Sequence, residues 1–275
     1  MKPSLVRESP LKEYVAANLR SCQLKQLAIL VEVDRICEKH GLTYWLDGGT
    51  LLGAVRHGGF IPWDDDIDIG MPIADMERFV AIAPTELPDS LFLQTAQTDP
   101  QCKGIIAKVR DLNSLYIEGH DNLAVDYQKG LFIDIFPFID YPTLPRKWVK
   151  RIMKGLSKSY SILHMQHYYS LRSFAEFFYF GGAYLLYRAI WRLLCLLYPK
   201  GKYLSNTIHN NGYGIVHRID SVYPLSEIEF EGIRFKAPAH VDAYLTDLYK
   251  NYMEIPPVEK RKIHAIYIHP ELIKK

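Results

Sequence analysis

A double-glycine turn followed by a run of aspartates constrains this chain more than any other feature of its sequence. The turn is LDGGTLLG at residues 46–53, and the acidic run is DDDIDI at residues 64–69. Isoleucines alternate with acids in the second segment, which is typical of a strand. Alternation along a strand would place Asp64, Asp66 and Asp68 on one face.

Carboxylates gathered on one face repel one another unless a cation neutralises them. Carboxylate oxygens suit a hard divalent cation, so we expect Mg²⁺, with Mn²⁺ as the alternative. Gly48 and Gly49 would let backbone amides approach a phosphate at the start of the helix that follows. Together these features indicate phosphoryl or nucleotidyl transfer. The alternative, a solvated acidic loop, would lack the interleaved isoleucines.

A third acid, Asp134, lies within the apolar segment GLFIDIFP at residues 130–137. Burying a lone carboxylate is costly unless it is paired, hydrogen-bonded or metal-bound. We therefore predict Asp134 as a catalytic metal ligand beside Asp66 and Asp68; the alternative is an aspartate that caps a neighbouring loop. Three carboxylates can hold two metals, or one metal plus a base that deprotonates an attacking hydroxyl.

Four basic residues are predicted to bind phosphate near these acids. Arg56 and His57 directly follow the glycine helix, and alternation places Lys108 and Arg110 on one face of another strand. Such side chains can hold a diphosphate and the charge that develops on a transferred group. Any one of them alone is better explained as a surface charge, so the prediction depends on the set.

Composition narrows the class of protein. The 275 residues are 48% hydrophobic, which is enough for one large domain or a domain with an insertion. A net charge of +2 argues against a nucleic-acid-binding protein. The four cysteines lack metal-ligand spacing, and residues 1–11 lack the apolar stretch of a secretory signal. We therefore expect reduced thiols and a cytoplasmic location.

Periodicity predicts an α+β fold with a helix-flanked mixed sheet. Helices are predicted over residues 24–37, ended by Gly41, and over 72–83 and 241–253. Strands are predicted at residues 42–47, 67–71, 91–95, 105–110, 115–118 and 131–136, with a hairpin over 228–236. We predict three parts: a catalytic core at 20–140, a helical subdomain at 141–225, and a hairpin and closing helix at 226–275 that return to the core.

The segment at residues 146–202 has a different composition. It opens with six lysines and arginines up to residue 158 and then becomes strongly aromatic. Three interpretations remain open: a buried helical subdomain, an interfacial element that docks on a membrane, and a transmembrane helix. Arg188 and Arg192 make the last of these expensive. The combination of cations, tyrosines and tryptophan suits the headgroup layer of a bilayer.

The sequence resembles the LicD family of phosphotransferases, which shares a nucleotidyltransferase-like core with the fukutin-related proteins. The segments that carry the resemblance are YWLDGGTLLGAVRH at 44–57, GFIPWDDDIDIG at 59–70, KVRD at 108–111, FIDIFP at 132–137 and PPVEKR at 256–261. The resemblance implies a nucleotidyltransferase-like mixed β-sheet core flanked by helices, with a helical, aromatic-rich insertion. After residue 261 the chain departs from the histidine-rich end expected of the family, so we assign no catalytic role to His264.

The resemblance also implies an activity: transfer of phosphocholine from CDP-choline, or of a similar phospho-alcohol, onto a sugar hydroxyl of lipopolysaccharide, teichoic acid or capsule. It assigns the nucleotide-phosphate turn to Gly48, Gly49 and Thr50, and the metal to Asp66 and Asp68 with Asp134 as third carboxylate. The implied partners are a CDP-alcohol donor and a glycan or lipid-linked glycan acceptor. If the interfacial interpretation of residues 146–198 holds, the cytoplasmic protein would be peripheral at the inner face of the cytoplasmic membrane. Two alternatives stay open: transfer of a nucleoside monophosphate, and a catalytically inactive binding protein.

Overall fold

The computed structural model describes residues 10–102, 106–119, 121–164 and 170–272, which form the predicted α+β fold. Residues 1–9 and 105, on which parts of the signal-peptide and strand predictions fall, lie outside the described residues. The α-helices are α1 (Pro10–His40), α2 (Gly48–His57), α3 (Ile73–Glu86), α4 (Arg146–His164), α5 (Leu171–Leu197), α6 (Ile219–Val222) and α7 (Val241–Tyr249). The strands are β1 (Trp45–Leu46), β2 (Asp68–Pro72), β3 (Leu91–Gln94), β4 (Ala107–Asp111), β5 (Leu115–Glu118), β6 (Phe132–Tyr141), β7 (Tyr203–Asn206), β8 (His217–Arg218), β9 (Ser226–Phe230), β10 (Ile233–Ala237) and β11 (Ala265–His269).

The chain divides into two compact units. Unit 1 comprises residues 1–136, 227–237 and 251–275, and unit 2 comprises residues 137–226 and 238–250. The sequence-based boundaries at 140 and 225 stay predictions.

The sheet of unit 1 has the strand order β1-β2-β6-β4-β3. Helix α1 packs against β11, which pairs antiparallel with β5 in a separate two-stranded sheet. The core at this end is built from apolar side chains of α1 and of the strands around it: Val15, Leu19, Cys22, Tyr116, Leu131, Phe132, Ala265 and Ile268. Long-range pairing therefore brings the C-terminal segment of unit 1 beside the first helix.

The aspartate run is a strand only from Asp68 onward, so the prediction of alternating strand positions was wrong for Asp64 to Ile67. The cause lies in two buried glutamines of α1. Gln23 Nε2 donates to the carbonyl of Asp64 at 2.8 Å, and Gln26 Nε2 donates to that of Asp65 at 2.8 Å. Because side chains satisfy these carbonyls, the segment needs no strand partner.

Unit 2 is built on two long helices and a short antiparallel sheet. The C-terminal half of β6 pairs with β7, which pairs with β8. Helices α4 and α5 approach closely at Gly155, where an added Cβ would lie 2.3 Å from the ring of Tyr187. Their shared core contains Tyr141, Leu144, Val149, Ile152, Met153, Trp191 and Val216.

Helix α5 is exposed along most of its length, and Trp191 is its one buried residue. Within the described part of the chain it is the one helix whose length and composition would suffice to cross a membrane, and 6% of its most apolar window is buried. The buried-subdomain interpretation therefore fits only the side of α5 around Trp191. The exposed remainder of α5 is left to the interfacial and transmembrane interpretations, which both stay open.

Candidate active site

The double-glycine turn brings the start of α2 against two aspartates. Asp47 caps the helix, and its carboxylate accepts a hydrogen bond from the Gly48 amide at 2.7 Å. Gly48 has φ +51°, and a Cβ there would lie 2.8 Å from Asp68 Oδ2. A Cβ on Gly49 would lie 2.6 Å from Asp64 Oδ2. Both glycines thus leave space for carboxylates, and their predicted contact with phosphate stays a prediction.

Thr50 ties this helix to the strand that carries the acids. Its Oγ1 accepts a hydrogen bond from the Asp68 amide at 2.8 Å, and the Asp47 amide donates to the Asp68 carbonyl at 3.0 Å. The threonine side chain is buried. In the structure Thr50 therefore positions Asp68, and its predicted contact with phosphate stays a prediction.

Five aspartates interact electrostatically at this point of unit 1. Burial raises the pKa of Asp68 well above its ordinary value, and the carboxyls of Asp66, Asp134, Asp47 and Asp64 raise it further. Burial, followed by Asp66 and Asp65, raises the pKa of Asp64 to about 8. Asp66, Asp68 and Asp134 are thus near enough to influence one another. The helix cap Asp47 joins them, and no sequence pattern had marked it as a site residue.

Lys108 partly compensates this negative charge. Its Nζ lies 2.7 Å from Asp134 Oδ1 and 3.0 Å from Oδ2, because Lys108 and Asp134 are directly opposed between β4 and β6. The same ammonium lies 3.6 Å from the centre of the Phe132 ring. Burial raises the pKa of Asp134, against the influence of Lys108. Among the described residues, Asp134 Oδ1 has no partner that meets hydrogen-bond geometry.

Asp65 is buried, and its carboxylate is fully hydrogen-bonded. Its carboxylate accepts from the Ala265 amide at 2.7 Å, the Tyr116 hydroxyl at 3.0 Å and the His264 amide at 3.2 Å. Burial alone would raise the pKa of Asp65, but hydrogen bonds from the His264 side chain and these amides lower it. Asp65 therefore anchors the C-terminal segment of unit 1 to the aspartate loop.

His264 bridges two acids of the loop. Its Nδ1 lies 3.2 Å from Asp65 Oδ1 and 3.3 Å from Asp66 Oδ2, and hydrogen bonds to both raise the pKa of His264 to about 11. Ligand atoms of these three residues lie within 4.8 Å of one another, a grouping that can hold a metal. An imidazolium cannot coordinate a metal, however, and Asp65 already accepts three other hydrogen bonds. The metal site predicted at Asp66, Asp68 and Asp134 is a different set that shares only Asp66 with this grouping, and it stays a prediction.

Arg56 has donors that the protein leaves unused. Its Nη1 donates to the Tyr252 carbonyl at 3.3 Å, whereas its buried Nε and Nη2 find no acceptor in the part of the chain that the structure describes. Burial and the neighbouring Arg261 lower the pKa of Arg56. The Arg261 guanidinium lies 4.0 Å from the centre of the Trp63 ring. The unused donors of Arg56 are of the kind that bind an anion, and its predicted contact with phosphate stays a prediction.

The remaining predicted phosphate-binding residues differ in their surroundings. His57 lies edge-on to Trp63, with ring centres 6.3 Å apart, and partial burial and the neighbouring Arg56 lower its pKa. Arg110 is buried, donates to the Gly130 carbonyl at 2.7 Å and also donates to the Gln94 side chain. Protein acceptors therefore occupy Arg110 Nε and Nη1. Its predicted contact with phosphate stays a prediction.

Sequence comparisons place the chain among known proteins. Residues 41–174 match the family profile LicD/FKTN/FKRP, nucleotidyltransferase domain. The lipopolysaccharide cholinephosphotransferase LicD of Haemophilus influenzae is 28% identical over 274 residues, which cover 90% of this chain and 96% of that protein. Human ribitol 5-phosphate transferase FKRP is 54% identical over 41 residues, 15% of this chain and 8% of that protein. Mannosyltransferase regulator 4 of Saccharomyces cerevisiae is 31% identical over 109 residues, 37% of this chain and 9% of that protein.

Proposed function

We propose that this chain is a phosphotransferase of the LicD/FKTN/FKRP family that acts on a cell-surface glycan, because residues 41–174 match the nucleotidyltransferase domain of that family. Two relatives with named activities, the LicD cholinephosphotransferase and the FKRP ribitol 5-phosphate transferase, transfer a phosphorylated alcohol. The alignment with LicD spans nearly all of both chains, which supports carrying the reaction class to the whole protein.

The specific reaction that we propose is transfer of phosphocholine from CDP-choline to a sugar hydroxyl of a glycan or lipid-linked glycan in the cytoplasm. The choline head group is supported by the name of the relative with full-length alignment. Ribitol phosphate is the second candidate, supported by the short but closer match to FKRP. Transfer of either group from a CDP-linked donor would release the same nucleotide, CMP. One assay of CMP release can therefore compare the two donors.

The observation that carries the proposal is the surplus of negative charge around Asp68. Four other carboxyls influence its pKa, and among the described residues Lys108 and His264 are the cations paired with members of this cluster. Asp66, Asp68 and Asp134 would hold Mg²⁺, or Mn²⁺, and the carboxylate of Asp134 would then be shared between the ion and the Lys108 ammonium. A divalent ion bound there would neutralise these acids and stabilise charge on the phosphates of the donor.

The protein's own residues supply the other functions. Arg56 and Arg261, which are near enough for the charge of Arg261 to lower the pKa of Arg56, would bind the donor diphosphate. Lys108 holds Asp134 by its ion pair, and Thr50 holds Asp68 through its backbone amide. Positioning of the donor phosphates against fixed carboxylates would provide most of the catalysis, as is usual in phosphoryl transfer.

The test is to incubate the purified protein with CDP-choline, CDP-ribitol and CTP, each with an acceptor glycan, and to measure nucleotide release and product mass. We expect CMP release and an acceptor heavier by phosphocholine, dependent on Mg²⁺ or Mn²⁺. An acceptor heavier by a nucleoside monophosphate would establish the nucleotidyltransferase alternative instead. Absence of any product from all three donors would favour the inactive binding protein.

A further inference from the structure

Helix α5 presents an apolar face to solvent. Six large side chains on it are each more than half exposed: Phe178, Leu185, Leu186, Leu193, Leu196 and Leu197. Their spacing follows the helical repeat, so they form one stripe, called here the α5 apolar face. The stripe runs along a helix of 27 residues, about 40 Å long at the usual rise. An exposed apolar patch of this extent indicates a partner.

The opposite side of α5 is fixed to the rest of unit 2. Trp191 is buried, and Tyr187, Ile190 and Leu194 pack against the same core cluster. At 100° per residue, Arg188 and Arg192 lie along one flank of the α5 apolar face. A helix held along one side, with arginines at its flank, is suited to lie in the surface of a bilayer rather than to cross it.

Charge complementarity identifies the kind of surface. Unit 2 has 13 lysines and arginines against 5 aspartates and glutamates, a formal charge of +8, whereas the whole chain carries only +2. Helix α4 contributes six of these cations and no acid. Anionic lipid headgroups attract such a unit, whereas a second copy of it would be repelled.

A groove beside the α5 apolar face is lined mainly by apolar side chains, which would suit a lipid acyl chain. Its volume is about 520 Å³, and its lining includes Leu163, Phe177, Phe178 and Leu185. Gly182 also lines the groove, and a Cβ added there would meet nothing within 4 Å, so the space is open.

We propose that unit 2 docks on an anionic lipid surface, with the α5 apolar face inserted at the level of the headgroups and the cations of α4 and α5 against the lipid phosphates. This proposal is independent of the reaction proposed above, because it concerns only binding to a bilayer.

The experiment is co-sedimentation of the full chain with vesicles of phosphatidylcholine alone or mixed with phosphatidylglycerol, without donor or acceptor. We expect binding to the anionic vesicles, at least about tenfold weaker binding to the neutral ones, and partial release by salt. The double variant Leu185→Glu, Leu193→Glu should lose the binding, while Leu123→Glu, an equally exposed leucine of unit 1, should retain it. Unchanged binding of the double variant would overturn the proposal, as would equal loss in the control.

A second measurement separates insertion from simple charge attraction. Leu193→Trp should be quenched by brominated lipids on anionic vesicles beyond the level seen for the four native tryptophans. Binding without extra quenching would mean that charge alone attracts the protein and would overturn insertion of the α5 apolar face. In cells, alkaline carbonate should release the protein from membranes; retention there would identify a spanning helix instead. Asp68→Asn should bind vesicles as the wild type does, so a failed assay of activity leaves this test intact.

Discussion

Nδ1 of His264 lies 3.3 Å from Oδ2 of Asp66. This contact joins the C-terminal segment of unit 1 to the aspartate loop in the first segment of the same unit. The same imidazole touches Asp65, whose carboxylate also accepts hydrogen bonds from two backbone amides and from Tyr116. A cation that bridges two adjacent aspartates fixes the loop and offsets part of its charge. Asp65 and Asp66 thus have different roles although they are neighbours in sequence: the first holds structure and the second faces the site.

Asp65→Asn should unfold the protein more readily while leaving the chemistry of the folded fraction in place. The buried carboxylate accepts hydrogen bonds from two backbone amides and from Tyr116, and an asparagine has only one acceptor oxygen for them, so the change should cost about 1–3 kcal/mol of unfolding free energy. Denaturant unfolding measures this, and activity should be normalised to the folded fraction. Asp89→Asn, an exposed aspartate of unit 1, is the control and should change stability by less than about 0.5 kcal/mol. A fully stable but inactive Asp65→Asn protein would contradict this assignment.

Asp68→Asn should have the opposite effects: the folded protein should keep its stability and lose its activity. Neighbouring carboxyls raise the pKa of Asp68, so removing its charge relieves repulsion and should leave the folded state equally or more stable. Turnover should fall by at least about 100-fold, because a metal ligand at the proposed site is lost. Thermal unfolding and CMP release measure the two effects on the same preparation. Near-wild-type activity would exclude Asp68 as a ligand.

Mg²⁺ or Mn²⁺ should raise the melting temperature of the wild type in the absence of any donor. A ligand that binds only the folded state stabilises it in proportion to the logarithm of its concentration. Asp134→Asn should remove this dependence, since Asp134 is one of the three carboxylates proposed to hold the ion and an amide is a much weaker ligand for it. Asp89→Asn should keep it. A metal-induced shift of equal size in all three proteins would place the ion elsewhere.

Local signals in the sequence were sufficient where the structure is decided locally. The strand at Leu115–Glu118 has its predicted bounds because β-propensity and flanking turns agree there, and α1 ends where Gly41 adopts φ +60°. Asp64 and Asp65 failed as strand residues because Gln23 and Gln26, on a distant helix, take the carbonyls that a neighbouring strand would otherwise bond.

The candidate site could be predicted only in part, because some of its residues are brought together by long-range contacts that no local sequence signal reveals. Acids within apolar segments, such as Asp134, are conspicuous in a sequence because burying them is costly. His264 and Arg261 lie in a polar segment where nothing local distinguishes them from surface residues. Their proximity to Asp66 and Arg56 follows from how β11 pairs with β5, which periodicity does not reveal.

Gly49→Ala should impair the site through Asp64. The new Cβ would lie 2.6 Å from Asp64 Oδ2, so that carboxylate must move. We expect kcat/KM for the donor to fall about tenfold or more, since small displacements at a site of this kind are costly. Gly182→Ala, whose added Cβ meets nothing within 4 Å, is the matched control. Combining Gly49→Ala with Asp64→Gly should lower activity by less than the product of the separate effects, and a purely multiplicative result would show that the two residues are not coupled.

Arg56→Met should separate donor binding from folding. In the free protein, Arg56 Nε and Nη2 are buried without acceptors among the described residues, and the repulsion by Arg261 adds to their cost. Removing the guanidinium should therefore leave the unfolding free energy unchanged or raise it by about 1 kcal/mol. The KM for the CDP-linked donor should rise about 10- to 100-fold, equivalent to loss of one or two charge-assisted hydrogen bonds. Arg56→Lys should recover little of this loss, because an ammonium lacks the planar fork of donors. Arg78→Met, an exposed arginine of α3, should leave the KM unchanged. A destabilised Arg56→Met protein with normal donor affinity would show that this arginine serves the fold rather than the donor.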